Sequence, residues 1–347
     1  MAGMEQKKMT PGSLLDERGR LTEPGYAFTP VKQYDRKAVK AGRLRIKEWD
    51  YYLVTNRDYG VAITVADNAY MGLASLTLLD FRAGSQVTVS PMLALPLGRL
   101  RMPASSETGD VVCRGKGFEV VFRRVGTVRH LSARFKNLEK GQPVAVDIEL
   151  FDEPRDSMVI ATPFPKKPTA FYYNRKIIGM RARGEVRYRG ETFAFSPEDS
   201  FGLLDWGRGV WTYKNTWYWG AGQGLVDGAV FGFNLGYGFG DTSSASENML
   251  FYQGLAHKLD DVTFQIPVDQ AGRDDFLKPW RFSSSDGRFE ADFTPILDRA
   301  ALTSLGVLCS DQHQVFGLFN GTATLDDGRV LRLRDFLGFA EKVYNKW

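Results

Sequence analysis

The densest chemistry in the sequence lies between positions 201 and 239, in the run FGLLDWGRGVWTYKNTWYWGAGQGLVDGAVFGFNLGYGF. Read as a strand from Val210 to Trp219, its period of two places Trp211, Tyr213, Asn215, Trp217 and Trp219 on one face. The next run alternates Val230, Gly232, Asn234, Gly236 and Gly238 against Phe231, Phe233, Leu235, Tyr237 and Phe239. A hairpin turning at Asp227-Gly228 sets the tryptophan face beside the glycine face, large side chains next to none. Such a face can line a cavity for an apolar, flat ligand, with Asn215 and Asn234 as its polar groups. It can equally be big-beside-small packing of a filled barrel core. Alanine at Trp217 separates the two: a lining residue loses ligand and keeps the fold.

Charged candidates flank this run. Asp205 and Arg208, three residues apart in Asp205-Trp206-Gly207-Arg208-Gly209, read as a turn whose opposite charges either orient a substrate or clasp the chain. Glu247 enters a strand candidate, Met249–Gln253, and could act as a general acid or base if burial raised its pKa. Glu48-Trp49-Asp50-Tyr51-Tyr52, with Asp67 and Tyr70 downstream, shows the same mixture of carboxylates and aromatic rings. The histidines His130, His257 and His313 lack metal-ligand spacing, so no metal is expected. Neither a nucleotide-binding G-x-G-x-x-G in a strand-to-helix setting nor a G-x-S-x-G elbow occurs, and no cofactor is expected.

The elements that must position these residues are strands. With 36 glycines and 13% aromatics, the composition favours strands and tight turns over helices. Short alternating runs at Trp49–Thr55, Val61–Ala66, Ser75–Phe81, Phe118–Arg123, Arg129–Phe135 and Val144–Phe151 follow one another with no long helical period between them. Later come Ala170–Ile177, Gly184–Tyr188 and Glu191–Phe195, the last two joined at Arg189-Gly190. Further hairpins turn at Asp286-Gly287 and Asp327-Gly328, dipeptides that supply positive φ. A short helix is expected over Asp335–Glu341, with Asp335 as its N-cap.

At 347 residues, the chain is longer than one core usually serves. Pro154, Pro163, Pro165 and Pro168 mark the expected boundary. The division expected is an N-terminal segment, 1–41, and two all-β halves, 42–165 and 166–347; a faint echo between Gly117–Phe122 and Gly287–Phe293 suggests duplication. The net charge of +4 is small and scattered, which argues against a nucleic-acid partner. The Met1–Lys8 segment is polar and no apolar span follows, so a cytoplasmic protein without a transmembrane segment is expected. Cys113 and Cys309 are read as two reduced thiols.

The segments LLDWGRGVWTYKNTWYWGAGQG, GFNLGYGFGDTSSASEN and GLAHKLDDVTF resemble the bacterial family catalogued as domain of unknown function 2804. LLDERGRLTEPGYAF, IKEWDYY and DGRVLRLRDFLGFAEK carry the likeness over nearly the whole chain. More distantly the pattern is similar to two-domain lipocalin-like proteins, among them carotenoid hydratases and some cyclases, and Gly209-Val210-Trp211 resembles the Gly-x-Trp that opens lipocalin barrels. That likeness implies two lipocalin-like (calycin) antiparallel barrel or sandwich halves, a hydrophobic cavity, and acid–base chemistry on an isoprenoid or lipid; it transfers no catalytic residue to a position here. Trp217-Tyr218-Trp219 is bulkier than the family pattern, which would narrow the pocket. Three functions remain open: a binder of an apolar small molecule, a cofactor-independent hydratase, isomerase or cyclase using Asp205 or Glu247, and an interaction scaffold. A buried lumen carboxyl with a raised pKa favours the second, an uncharged lumen the first, a filled interior the third.

Overall fold

The computed structural model describes residues 5–305 and 308–346; the first four residues of the polar Met1–Lys8 segment lie outside them. Among the described residues the chain is nearly all β, in two large antiparallel sheets of fourteen and nine strands. No helix is long and apolar enough to cross a membrane.

The first sheet begins with a meander, Ile46–Thr55, Tyr59–Asp67 and Met71–Asp80, in which each expected strand is present and starts a few residues earlier, with Phe81 falling just beyond the third. Ile46–Thr55 then pairs along its whole length with Phe201–Val210, which pairs in turn with Phe171–Tyr188. Two expected strands, Ala170–Ile177 and Gly184–Tyr188, are thus one long strand. It bends where the register shifts between Ile177 and Met180, at Gly179 with φ of 88°. The proline-rich stretch contains the strand Met158–Pro163, which pairs with Phe171–Tyr188 and with Gly25–Ala27. Both sides of position 165 therefore contribute to the fourteen-stranded sheet, and the change of sheet falls at 211–213.

The second sheet starts at Lys214–Val226 and closes its central ladder with the last strand, Val330–Lys346, laid between Lys214–Val226 and Leu308–Thr324. The hairpin at Asp227-Gly228 forms as expected, with Val226 opposite Ala229 and both turn residues at positive φ. The expected helix over Asp335–Glu341 does not exist: these residues belong to the strand Val330–Lys346. Asp335 is not an N-cap but a bulge residue at φ 47°, exchanging hydrogen bonds with the Asn320 side chain. The bulge moves the inward face from Leu331 and Leu333 to Phe336, and that uneven spacing mimics a helical period.

One face of the second sheet is a core of its own, where Phe231, Phe233, Phe289, Phe293, Phe319 and Phe336 are buried together. Ring centroids lie 4.6 Å apart for Phe293–Phe319 and 4.9 Å for Phe233–Phe319. Each such ring contributes roughly 1.5–3 kcal/mol by leaving water. This interior is filled, so the alternate face, carrying Trp217, Trp219 and Asn234, turns outward against the first sheet. Polar contacts join the sheets there: Gln223 Nε2 donates to the Phe201 carbonyl at 3.1 Å, Gly179 N–H to Gln223 Oε1 at 3.0 Å, and Arg299 Nε to Thr77 Oγ1 at 3.0 Å.

Candidate functional site

The two facing sheets enclose a cavity of about 510 Å³. The hollow expected inside one barrel is therefore between the halves, because the odd-numbered residues of Lys214–Val226 face away from the phenylalanine core. On the second sheet the register sets three rungs, each crossing four strands, whose residues line the cavity except for Arg299, Gln314, Val343 and Asn215. Arg299, Gln314, Glu341 and Trp219 form the inner rung, Ala301, Gln312, Val343 and Trp217 the middle one, and Thr303, Ser310, Asn345 and Asn215 the outer one. Exposed Met92, Ala301 and Thr303 also line the cavity and mark its mouth.

The first sheet supplies the opposite wall. Trp49 stacks on Tyr172 with centroids 6.1 Å apart and planes within 9°. A Cβ on Gly207 would fall inside the Trp49 indole, so the ring can lie on the sheet only because that position is glycine. Edge-to-face contacts continue through Trp211, 5.3 Å from Trp49, and Phe239, 4.9 Å from Trp211 and 5.2 Å from Trp217. The result is an aromatic box built from both sheets and the crossover.

Charged groups stand at the deep end. Asp205 is buried; Asn174 Nδ2 donates to its Oδ1 at 2.5 Å and Trp49 Nε1 to its Oδ2 at 3.1 Å. Burial raises its pKa, against the lowering by Lys176 and these donors. Lys176 Nζ pairs with Glu247 Oε2 at 2.8 Å and lies 4.2 Å above the Trp219 ring. Asn234 holds the same carboxylate, donating to Glu247 Oε2 at 3.2 Å, and accepts from Trp219 Nε1 at 2.8 Å. Gly236 makes room for it: a Cβ there would sit 2.6 Å from the Glu247 carboxyl. Glu341 accepts from Trp217 Nε1 at 2.8 Å and from Gln314 Nε2 at 3.2 Å. Burial pushes its pKa up to about 7, with the Trp217 bond and the Lys176 charge working the other way.

The expected residues sort accordingly. Asp205, Trp211, Trp217, Trp219 and Glu247 line the cavity, and Asn234 positions Glu247. Val210–Trp219 is not one strand, since Trp211 to Tyr213 form the crossover between Phe201–Val210 and Lys214–Val226. That break leaves Tyr213 exposed and outside the cavity. Asn215 is on the outer rung, with its amide engaged by Thr212 through bonds of 2.6 and 2.8 Å. Asp205 and Arg208 are neither in a turn nor paired. They stand three apart within a strand and so face opposite sides; Arg208 is fully buried against Asp50 Oδ1 at 3.0 Å and the Trp49, Gly207 and Pro103 carbonyls. It is the clasp. Asp67 likewise ties a loop, accepting from Ala69 and Gly98 N–H.

Trp49 was singled out only as part of the Glu48–Tyr52 cluster, and sequence reasoning missed Glu341, Lys176, Tyr172, Phe239 and Asn345. Lys176 had a signal, since Asn174, Arg175 and Lys176 stand in a row inside an otherwise apolar strand candidate, where burial demands partners. Glu341 was hidden by the helical reading of its strand. Among the described residues no three His, Cys, Asp or Glu side chains gather as ligands for a metal ion.

A family model described as a domain of unknown function, DUF2804, matches residues 5–347. No curated protein matches the chain. Among solved structures, an AttH-like protein of Nitrosomonas europaea is 14% identical, with a TM-score of 0.57 over 91% of this chain and 98% of that one. Kievitone hydratase from Nectria haematococca is 11% identical, with a TM-score of 0.49 over 98% and 99%. CghA, solved with Sch210972, is 12% identical, with a TM-score of 0.47 over 96% and 97%. At these identities the first of the three shows a shared fold, and no residue role passes from any of them to this chain.

Proposed function

The chain belongs to the DUF2804 family, whose description states no activity, and we propose that its inter-sheet cavity binds a mostly apolar small molecule and moves a proton on it, as a hydratase, isomerase or cyclase does. The carrying observation is Glu341, a carboxyl on the wall of an aromatic cavity, held by Trp217 and titrating near neutrality. A group with a pKa of about 7 is present as both acid and base at neutral pH, the condition under which proton transfer is most effective. Indole faces of Trp49, Trp217 and Trp219 around the cavity favour positive charge that develops on a protonated carbon skeleton. The Lys176–Glu247 pair fixes a second charge close by, and Asp205 is held ready by two donors. No cofactor is invoked.

Incubating the protein in D2O with the small molecules extracted from its own preparation tests this. Mass spectrometry should show deuterium entering one of them with wild type and not with Glu341→Gln, while both proteins retain that compound in native spectra. A compound retained by both and labelled by neither leaves the carrier reading, in which the cavity binds and releases without chemistry. If nothing apolar is retained and a neutral dye such as N-phenyl-1-naphthylamine does not enter, binder and catalyst readings are both wrong.

A further inference from the structure

The outer rung differs from the other two in being wholly polar and uncharged: Thr303, Ser310, Asn345 and Asn215. Asn215 is satisfied by Thr212, but Asn345 is 1% exposed, lines the cavity, and finds no partner among the described residues for either its Nδ2 or its Oδ1. An amide can make four hydrogen bonds, and leaving a buried polar group without any is destabilising. The Tyr70 hydroxyl, also buried and also on the cavity wall, is in the same condition. Tyr70 stands by the crossover between the sheets: the Lys47 ammonium lies 4.7 Å over its ring and 5.6 Å over that of Trp211, the residue that begins the crossover to the strand of Asn215.

Two buried polar groups without protein partners among the described residues, on residues that line one cavity, point to the head group of the molecule it holds. Resting on the reading above, we propose that Asn345 and Tyr70 receive an alcohol oxygen at the end of the ligand opposite to the one that meets Glu341. A hydroxyl both gives and accepts a hydrogen bond and so answers both atoms of the Asn345 amide. A ketone answers only the donor, and a carboxylate offers no proton to Oδ1. Asn345 and Glu341 are four residues apart on one strand, about 13 Å at the usual rise. The ligand is accordingly elongated, with an apolar body across the tryptophans and a neutral hydroxyl near the mouth.

Displacement of bound N-phenyl-1-naphthylamine by dodecan-1-ol, dodecan-2-one and n-dodecane tests the head-group site. Hydrophobicity alone ranks the alkane first, so a preference for the alcohol has to come from hydrogen bonds. Wild type should prefer alcohol over alkane at least tenfold, with the ketone between. Asn345→Leu should abolish that preference, leave alkane binding unchanged or tighter, and raise the melting temperature by about 2 °C or more, because an unpaired amide is replaced by an apolar side chain of similar shape. Tyr70→Phe, which removes one oxygen, should reduce the preference severalfold and decides the matter if the leucine variant does not fold. Equal displacement by alcohol and alkane in wild type, or an undiminished preference in these variants, overturns the head-group site and leaves the cavity reading standing. Failure of the dye to enter overturns both.

Discussion

Glu341 carries a signature that can be measured without knowing the ligand. Its pKa lies at about 7 in the folded protein against an ordinary 4.5, so the folded state holds its proton more tightly than the unfolded one does. Stability from this group is fully present below pH 4.5 and is lost as pH rises to about 7. Over those 2.5 units the loss is on the order of 3 kcal/mol at about 1.4 kcal/mol per unit. Glu341→Gln removes the titration, so its melting temperature relative to wild type should climb between pH 5 and pH 8; a constant difference would mean that the carboxyl does not titrate in this window. Trp217→Phe deletes the indole N–H that lowers this pKa. Its pH–rate profile, or the pH midpoint of its stability difference, should move upward from that of wild type.

At the scale of elements, the hairpin from Lys214–Val226 into Ala229–Tyr237 sets the site by what it omits. Trp219 stands opposite Gly236, and the space above that glycine is occupied by Glu247, which comes from the loop leading into Met249–Tyr252. Gly236→Ala should displace the Glu247 carboxyl and break its pair with Lys176, leaving a buried lysine facing the Trp219 ring. We expect proton transfer to fall at least tenfold while circular dichroism and the apolar dye's affinity remain near wild type. Loss of the β signal instead would show that the glycine serves the sheet and not the site. The alternation of large residues and glycines was legible in the sequence, as were this turn and those at 189–190, 286–287 and 327–328. The bulge at Asp335 was not, because a one-residue shift in strand phase and a turn of helix leave the same spacing of apolar residues over so short a span.

For the whole molecule, the cavity needs both sheets: Trp49, Tyr172 and Asp205 come from one, Trp217, Trp219 and Glu341 from the other. Cross-sheet bonds from Gln223, Arg299 and Lys176 fasten them. The two halves should therefore melt in a single calorimetric transition, and a captured ligand should raise its midpoint. Two transitions, of which the ligand moves only one, would place the binding site inside a single half. Phe319→Ala, in the filled core of the second sheet, should cost about 3–5 kcal/mol and still leave dye binding measurable in the folded fraction, since that core is not the cavity.

Local pattern determined what local physics controls: strand period, turn chemistry, the aromatic and glycine faces, and the predominance of β structure all follow from residues within a few positions of one another. Tertiary structure alone decided which of two alternating faces is buried in a barrel and which faces the other sheet, because a period of two is indifferent to the side on which the core lies. The same holds for the charges. Asp205 came away from its neighbour Arg208 and joined Asn174, Trp49 and the Lys176–Glu247 pair, since partners in a sheet are chosen by register across strands, over separations that no short stretch of sequence encodes.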